Sequence, residues 1–148
     1  MRLQGKIALV TGAGGGLGTA IARTFATEGA SVLCTDRDAT RAGRTASTIT
    51  AGGGNAAAFQ ADVADPAQCE AQVAETVKRY GRIDIVVNSA GVALHKLALD
   101  TSLDDWERVL RINLTGSFLT SKAAARHMVS QGGGRIIQLI GGQINLDA

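Results

Sequence analysis

A glycine-rich stretch near the amino terminus carries the clearest chemical signal in the sequence. It reads Thr-Gly-Ala-Gly-Gly-Gly-Leu-Gly at positions 11–18, between an apolar strand-like run and a helical pattern. Such glycines allow a tight turn, a close approach of a diphosphate to the backbone, and close packing of the helix on the sheet. The free N–H groups at the start of the helix would attract phosphate. The position between strand and helix predicts a nucleotide site rather than a plain glycine-rich turn. The residues of this stretch that we expect to bind the nucleotide are Gly12, Gly14, Gly15, Gly16, Leu17 and Gly18.

An acidic residue follows the second strand-like run at the spacing that a dinucleotide site requires. Asp36 lies 18 residues after Gly18, and a carboxylate at about this distance accepts hydrogen bonds from ribose hydroxyls. Its charge would repel a 2′-phosphate, so Asp36 favours NAD over NADP. Arg37 is adjacent and could serve a 2′-phosphate, which keeps NADP as the less favoured alternative. Asp36 could also be an ordinary turn residue, and Arg37, Arg41 and Arg44 could form a solvated helix face.

The elements that must position these groups alternate between short strands and longer helices. Five β-branched runs are apolar almost without interruption, which is typical of parallel strands covered on both faces. They occupy positions 7–11, 31–35, 56–60, 83–88 and 135–140. The alternation predicts βαβ units with right-handed crossovers. We therefore expect an α/β fold of Rossmann type, a doubly wound parallel sheet in the order 3-2-1-4-5 within three α/β/α layers. No linker divides residues 1–148, which predicts a single NAD(P)-binding domain.

Apolar residues at helical spacing predict which helix faces are buried. Leu17, Ile21 and Phe25 form one such stripe in the first helix. Cys69 lies on the stripe of the third helix and is interpreted as a core residue rather than a nucleophile. A long helix is expected from about 104 to about 130, capped by Ser102. Its apolar side is predicted to consist of Trp106, Val109, Leu110, Leu114 and Phe118.

Composition limits the classes of function. A net charge of +2 is too small to indicate nucleic-acid binding, and no apolar run approaches the ~20 residues of a membrane span. The amino terminus has no small-residue cleavage site and is interpreted as a strand rather than a signal peptide. Two isolated cysteines fit a reducing cytosol, so a cytoplasmic location is expected. No residues have metal-ligand spacing, so no metal site is predicted.

Three motifs together give a specific resemblance. The loop at 11–18 resembles the Thr-Gly-x-x-x-Gly-x-Gly loop of the short-chain dehydrogenases/reductases. Asp62-Val63, after the third strand, resembles that family's Asp-Val pair, and positions 88–91, Asn-Ser-Ala-Gly, resemble its Asn-Asn-Ala-Gly motif with Ser in the second place. The resemblance extends over essentially the whole chain.

The resemblance implies cofactor contacts at both motifs. Asp62 and Val63 would contact the adenine ring, and the stretch containing Asn88, Ala90 and Gly91 would support the central sheet and border the cofactor. Independently, small residues at 89–91 would let a ligand approach the carboxyl edge of the sheet, where open α/β sheets bind ligands. For Asn88, a purely structural turn is an equally good interpretation.

Asn113 is a polar residue among apolar ones. It shares a helix face with Leu110, Leu114 and Phe118, and a buried amide must find hydrogen-bond partners. It could be a satisfied core amide. The family resemblance instead implies that Asn113 is the catalytic asparagine, which holds a water molecule in a proton relay.

The remaining groups that the resemblance implies are missing. The family uses a Tyr as general acid/base, a Lys four residues later that lowers the pKa of the Tyr, and a Ser after the fifth strand. The sequence has one tyrosine, Tyr80, followed four residues later by Asp84. Gly141 occupies the expected place of the serine. Gln143 or Asn145 could hydrogen-bond a carbonyl group, but neither has a pKa suited to proton transfer.

Three hypotheses about function therefore remain. The chain could belong to an NAD-dependent oxidoreductase acting on a small alcohol or carbonyl substrate, truncated and impaired on its own. It could be a non-catalytic dinucleotide-binding module. A methyltransferase on a related sheet is a third hypothesis, which the family-like motifs disfavour. An unpaired fifth strand at 135–140 and an uncovered face of the 104–130 helix also predict self-association into a homo-oligomer.

Overall fold

The computed structural model describes residues 1–140 and contains a five-stranded parallel sheet in the order β3-β2-β1-β4-β5. The strands are β1 (Ile7–Thr11), β2 (Ser31–Asp36), β3 (Asn55–Gln60), β4 (Ile85–Asn88) and β5 (Arg135–Gln138). The helices are α1 (Gly16–Thr27), α2 (Ala39–Ala51), α3 (Pro66–Tyr80), α4 (Leu103–Leu110) and α5 (Gly116–Ser130). A 3₁₀ turn (Ala98–Asp100) precedes α4, and a π turn (Arg111–Thr115) joins α4 to α5. The predicted Rossmann-type sheet and its strand order are confirmed.

Two apolar clusters cover the two faces of the sheet. On one face, alternate strand residues such as Val10 and Val32 pack against α1 and α2. On the other face, Leu9, Leu33 and Val86 pack against α3 and α5. Helices therefore shield both faces of the sheet from water. This explains why apolar residues in the strands do not alternate with polar ones.

Asp84 joins three strands at their amino ends. Its carboxylate Oδ2 accepts a hydrogen bond from the Ile7 N–H at 2.9 Å. Its backbone N–H donates to the Ile7 carbonyl, and its carbonyl accepts from the Arg135 N–H. The other carboxylate oxygen forms an ion pair with Arg82 at 2.6 Å. β4 accordingly begins at Ile85, two residues later than predicted.

Small residues bury the long helical segment against the rest of the protein. The buried residues of α5 are Gly116, Thr120, Ala123, Ala124 and Met128. The predicted apolar side is wrong for most of its members: Trp106, Leu114 and Phe118 are 56%, 64% and 60% exposed. Because Gly, Ala and Thr allow a close approach to α3 and the sheet, the larger side chains are turned outward. The predicted single helix is also interrupted by the π turn.

The stripe predicted for α1 is correct only in part. Ile21 and Phe25 are half-buried against the first cluster, but Leu17 is 62% exposed. The reason lies in Gly18, where an added Cβ would collide with the Gly12 carbonyl oxygen. Gly18 therefore faces the loop, and Leu17 points away from the core. Within residues 1–140, no helix is both long and apolar enough for a membrane span.

Candidate cofactor-binding site

The three glycines that define the loop differ in what surrounds them. Gly12 has φ +63°, and a Cβ there would lie 2.8 Å from the backbone of Ala90. Gly18 packs directly on the Gly12 carbonyl. A Cβ on Gly16, in contrast, would meet no atom of residues 1–140 within 4 Å. The fold thus requires the first and last glycine, whereas Gly16 leaves its backbone open to whatever occupies the adjacent space.

Hydrogen bonds on both sides of Ala13 fix the loop. The Ala13 N–H donates to the Thr35 carbonyl at 2.9 Å. The Ala13 carbonyl accepts from the hydroxyls of Thr19 and Thr45, each at 2.8 Å. Since Ala13 is fully buried, the position of the loop relative to β2 is determined by these contacts.

Asp36 holds the same loop from the end of β2. Its Oδ2 accepts from the Gly14 N–H and its Oδ1 from the Asp38 N–H, both at 3.0 Å. A Cβ on Gly14 would lie 2.9 Å from that Oδ2, so Gly14 allows the close approach. Among the described residues, no cation lies within ion-pair distance of Asp36. Each carboxylate oxygen accepts one hydrogen bond within the protein and can accept a further one.

The Thr11 hydroxyl holds the stretch after β4 against the loop. It accepts hydrogen bonds from the N–H groups of Ser89 and Ala90, both at 3.1 Å. Asn88, the last residue of β4, is 3% exposed, and its Nδ2 donates to Ser121 Oγ at 2.9 Å. Among residues 1–140, its buried Oδ1 has no hydrogen-bond partner. Asn88 therefore joins the end of β4 to α5.

Asp62 and Val63 form the wall that follows β3. The Asp62 N–H donates to the side-chain carbonyl of Gln68 at 2.8 Å, and its Oδ1 accepts from the Ala64 N–H at 2.9 Å. Val63 is held from behind by Gly116, where a Cβ would lie 2.8 Å from the Val63 carbonyl oxygen. The absence of a side chain at Gly116 therefore allows α5 to approach Val63 closely.

Asn113 is exposed rather than buried, so the predicted buried amide is wrong. It lies in the π turn, and its side chain pairs with the backbone of Val92: Oδ1 accepts from the N–H at 2.8 Å and Nδ2 donates to the carbonyl at 2.9 Å. An amide side chain that makes both bonds to one residue fixes that residue as a neighbouring strand would. Asn113 thereby joins the stretch after β4 to the long helical segment.

These walls enclose a cleft of about 380 Å³ at the carboxyl edge of the sheet. It is lined by Gly12, Gly15, Gly16, Leu17, Gly18, Asp36, Arg37, Arg41, Ala61, Asp62, Val63, Ser89, Ala90, Gly91, Val92 and Ile112. Of the residues proposed from sequence, Gly14, Asn88 and Asn113 are not part of this lining. Gly14 and Asn113 hydrogen-bond Asp36 and Val92, which are part of it. Sequence reasoning missed Arg41, Ala61, Val92 and Ile112. Arg41 lies in the first turn of α2. Its position five residues after Asp36 could have indicated from the sequence that it lies near that carboxylate.

Tyr80 lies at the opposite edge of the sheet. Its hydroxyl donates to the carbonyl of Val32, near the start of β2, at 3.4 Å. Burial raises the pKa of Tyr80 above its usual value, which is opposite to what proton transfer near neutral pH requires. Tyr80 ends α3, as the sequence predicts, and is not among the residues that line the cleft. Gly141, Gln143 and Asn145 lie outside the described residues.

Both cysteines are free and fully buried. Burial raises the pKa of Cys34 to about 12 and raises that of Cys69, against a smaller opposing effect of a hydrogen bond with Thr120. Cys69 is therefore a core residue, as predicted, and is not activated as a nucleophile. Over residues 1–140, no cluster of His, Cys, Asp or Glu has the form of a metal site.

The sheet order, the two helical layers and a cleft at the carboxyl edge define a Rossmann-type α/β protein. A profile of the family described as short chain dehydrogenase matches residues 6–143. The chain belongs to this family.

Relatives with known names support the same assignment. The chain is 44% identical over 138 residues to a D-threitol dehydrogenase of Mycolicibacterium smegmatis, covering 93% of this chain and 53% of the relative. It is 39% identical over 138 residues to a 3-oxoacyl-[acyl-carrier-protein] reductase of Synechocystis, covering 93% and 56%. The crystal structure of a hydroxysteroid dehydrogenase from Escherichia coli matches with a TM-score of 0.87 and 38% identity, covering 91% of this chain and 57% of that one. The chain spans about half the length of the curated relatives it matches.

Proposed function

We propose that the chain binds a nicotinamide dinucleotide, NAD in preference to NADP, in the cleft beside the glycine loop. The observation that carries this proposal is the open space at Gly16, between two glycines that the fold itself requires. In the part of the chain that the structure describes, no steric constraint accounts for a glycine at this position, whereas a diphosphate lying on the backbone would account for it. Family membership supports a nicotinamide cofactor in general.

The residues around the cleft fit the parts of such a cofactor. The first N–H groups of α1 face the position of a diphosphate, where the helix dipole favours negative charge. Asp36 would accept hydrogen bonds from the ribose hydroxyls of the adenosine half. Asp62 and Val63 would border the adenine ring. Ala90 and Gly91 would border the nicotinamide half, supported by Asn88 from below and by Asn113 through Val92.

The reaction proposed for the complete enzyme is hydride transfer between the nicotinamide ring and a small alcohol or carbonyl substrate. Relatives named as dehydrogenases and reductases support this reaction class. This chain's residues would bind and orient the cofactor, and Asn113 would position the loop at its nicotinamide end. Proton transfer at the substrate oxygen requires a group of suitable pKa. Because Tyr80 lies at the other edge of the sheet, we propose that these 148 residues alone bind the cofactor with little or no turnover.

A titration with three ligands tests the proposed cofactor. We expect NADH to bind at least about tenfold more tightly than NADPH, because Asp36 repels a 2′-phosphate, and S-adenosylmethionine not to bind. Asp36→Ala should reduce the ratio of the affinity for NADH to the affinity for NADPH. Asp38→Ala is the matched control, since Asp38 caps α2 and should change stability without changing this ratio. Failure of NADH to bind would contradict the proposal, and binding of S-adenosylmethionine would favour a methyltransferase.

An activity assay separates an incomplete enzyme from a catalyst. The purified 148-residue chain is incubated with NAD and a panel of small polyols, and with NADH and small ketones, while absorbance of NADH is followed. We expect no turnover above the protein-free blank. Turnover that co-purifies with the chain and is lost in Gly12→Ala would show that the 148 residues do contain a competent proton-transfer group.

The exposed apolar side chains of α4 and α5 support self-association as a further part of the proposal. Trp106, Leu114 and Phe118 lie uncovered on one segment, and contiguous exposed apolar surface is typical of interaction sites. We expect dimers or larger species in sedimentation velocity at micromolar concentration. Leu114→Ser combined with Phe118→Ser should reduce them, whereas Val129→Ser, at an exposed residue near the end of α5, should not. A monomeric parent chain would contradict this expectation.

The location proposed for the protein is the cytoplasm. Cys34 and Cys69 are both free and buried, and unpaired thiols are typical of reducing compartments. Fractionation of the cells that produce the chain, followed by immunoblotting, would test this proposal.

A further inference from the structure

Three buried side chains form a hydrogen-bonded chain between the sheet, α3 and α5, and a fourth buried side chain on α3 extends the connection to the residue after Asp62. The Thr35 hydroxyl donates to Gln72 Oε1 at 2.7 Å, and Gln72 Nε2 donates to the Thr120 hydroxyl at 3.0 Å. Cys69 lies three residues before Gln72 on the same helix, α3. The Cys69 Sγ donates to the Val63 carbonyl at 3.2 Å. We name Thr35, Gln72, Thr120 and Cys69 the buried polar chain; each is at most 1% exposed.

Both ends of the buried polar chain lie directly behind the cleft. At one end, Thr35 precedes Asp36, and its carbonyl accepts from the Ala13 N–H of the glycine loop at 2.9 Å. At the other end, Val63 lines the cleft on the side that follows β3. The buried polar chain therefore connects the wall that carries Asp36 with the wall that carries Val63.

The energetics of such a cluster favour a role in positioning over a role in stability. Buried polar groups are costly to desolvate, and apolar replacements of similar shape can be neutral or stabilising when all partners are replaced together. What apolar side chains lose is the directionality of the hydrogen bonds. Without Gln72, the Thr35 hydroxyl retains only the Val10 carbonyl, at 3.4 Å. The chain thus fixes Thr35 in a way that apolar packing alone does not.

We propose that the buried polar chain is a positioning device that sets the separation of the two walls of the adenosine half of the cleft. This inference rests on the proposed binding of a dinucleotide there. Gln72 is its central positioning residue because, of these four side chains, only that of Gln72 hydrogen-bonds residues of both β2 and α5. None of the four side chains contacts the cofactor itself, so their effect on binding is transmitted through Asp36, Ala13 and Val63.

Two sets of variants separate positioning from stability. The first set compares Thr35→Val, which removes the hydroxyl, with Thr35→Ser, which keeps it. The second is the all-apolar variant Thr35→Val, Gln72→Leu and Thr120→Val. The matched control is Thr76→Val, since Thr76 is also fully buried on α3 but bonds only to the Gln72 backbone carbonyl of its own helix. Urea denaturation of every variant reports stability.

The readouts are titrations with NADH and with ADP-ribose, which share the adenosine half. We expect the all-apolar variant to fold and to bind both ligands roughly tenfold more weakly. Thr35→Val should also weaken the binding of both ligands. The affinities of Thr35→Ser and Thr76→Val should stay within about twofold of that of the parent. The proposal is overturned if the folded all-apolar variant, or Thr35→Val in its place, binds like the parent, or if Thr76→Val weakens binding equally.

Amide hydrogen exchange in the ligand-free protein provides a second measurement that does not depend on the proposed function. If the buried polar chain positions the loop, the N–H groups of Ala13 and Gly14 should exchange faster in Thr35→Val than in Thr35→Ser at equal global stability. Equal exchange in the two variants would overturn the inference. A parent chain that does not bind NADH would contradict the proposed function, and the exchange result would still decide whether the walls are positioned in this way.

Discussion

The amino-terminal region, residues 1–60, and the region from 97 to 140 bury their apolar side chains in different ways. In the first region, large strand residues such as Leu9 and Leu33 are fully buried. In the second, α5 packs mainly through Gly, Ala and Thr, and its Phe118 and Val129 side chains are exposed. Of the exposed large apolar residues within 1–140, only Met1 and Leu17 precede residue 97. The first region buries nearly all of its large apolar side chains within the chain. The second region packs on one side only and leaves apolar side chains exposed on the other.

The largest expected effect comes from truncating a leucine in each region. Leu33→Ala should reduce the free energy of unfolding by about 3 kcal/mol, because Leu33 is fully buried in the α3/α5 cluster. At a protein concentration where the chain is monomeric, Leu114→Ala should change it by less than about 0.5 kcal/mol, because Leu114 is largely exposed in the single chain. Urea unfolding followed by circular dichroism measures both. Similar losses in the two variants would mean that the second region is not uncovered in solution.

Two glycines of the same loop should respond differently to alanine. Gly12→Ala should cost about 2 kcal/mol, because residue 12 has a positive φ and would contact the Ala90 backbone. Gly16→Ala should leave stability nearly unchanged and reduce NADH affinity, since its Cβ occupies only the cleft. Thermal unfolding and an NADH titration distinguish the two effects. Retention of full affinity in Gly16→Ala would remove the main support for the phosphate position.

A glycine within a helix of each region provides a smaller test. Gly43→Ala in α2 meets no atom within 4 Å and should stabilise the protein by roughly 0.5–1 kcal/mol through helix propensity. Gly116→Ala should lose this gain and destabilise instead, because its Cβ would lie 2.8 Å from the Val63 carbonyl oxygen. The difference in unfolding midpoint between the variants measures the closeness of α5 to Val63. Stabilisation by both would show that this contact is looser than described.

The smallest effect concerns alkaline pH. Burial raises the pKa of Cys34 from 9.0 to about 12, so the folded protein favours the neutral thiol. The corresponding stability is fully present below the unfolded pKa of 9.0 and is lost as the pH rises towards the folded value. Cys34→Ala should show a weaker decrease in urea midpoint over this range. The dependence of the urea midpoint on pH should not vanish, because the pKa values of Cys69 and Tyr80 are also raised. An unchanged slope would contradict the assignment.

The sequence predicts the sheet well because strand formation here depends on local composition. β1 coincides with its apolar run, and the strand order follows from the alternation of strands and helices. The buried face of α5 was not predictable in the same way. Gly116, Thr120 and Ala123 carry little hydrophobic signal, and the exposed Trp106 and Phe118 dominate any pattern based on hydrophobicity.

The site was predictable where the groups are close in sequence and less so where they are not. Gly12, Gly16 and Gly18 belong to one contiguous motif whose spacing carries its meaning. The pairing of Asn113 with Val92 joins residues 21 positions apart, and no periodicity specifies such a contact. The position of Gln72 between Thr35 and Thr120 depends on three separate elements, which only the assembled fold brings together.

The bonds of Asp84 have a consequence for how the molecule can vary. One residue joins β1, β4 and β5 at their amino ends, far from the loops that form the cleft. The spacing of these three strands is therefore established without any contribution from ligand-facing side chains. Substitutions in the loops at the carboxyl edge can change what is recognised while the strand framework is conserved, which is how one architecture serves many reactions.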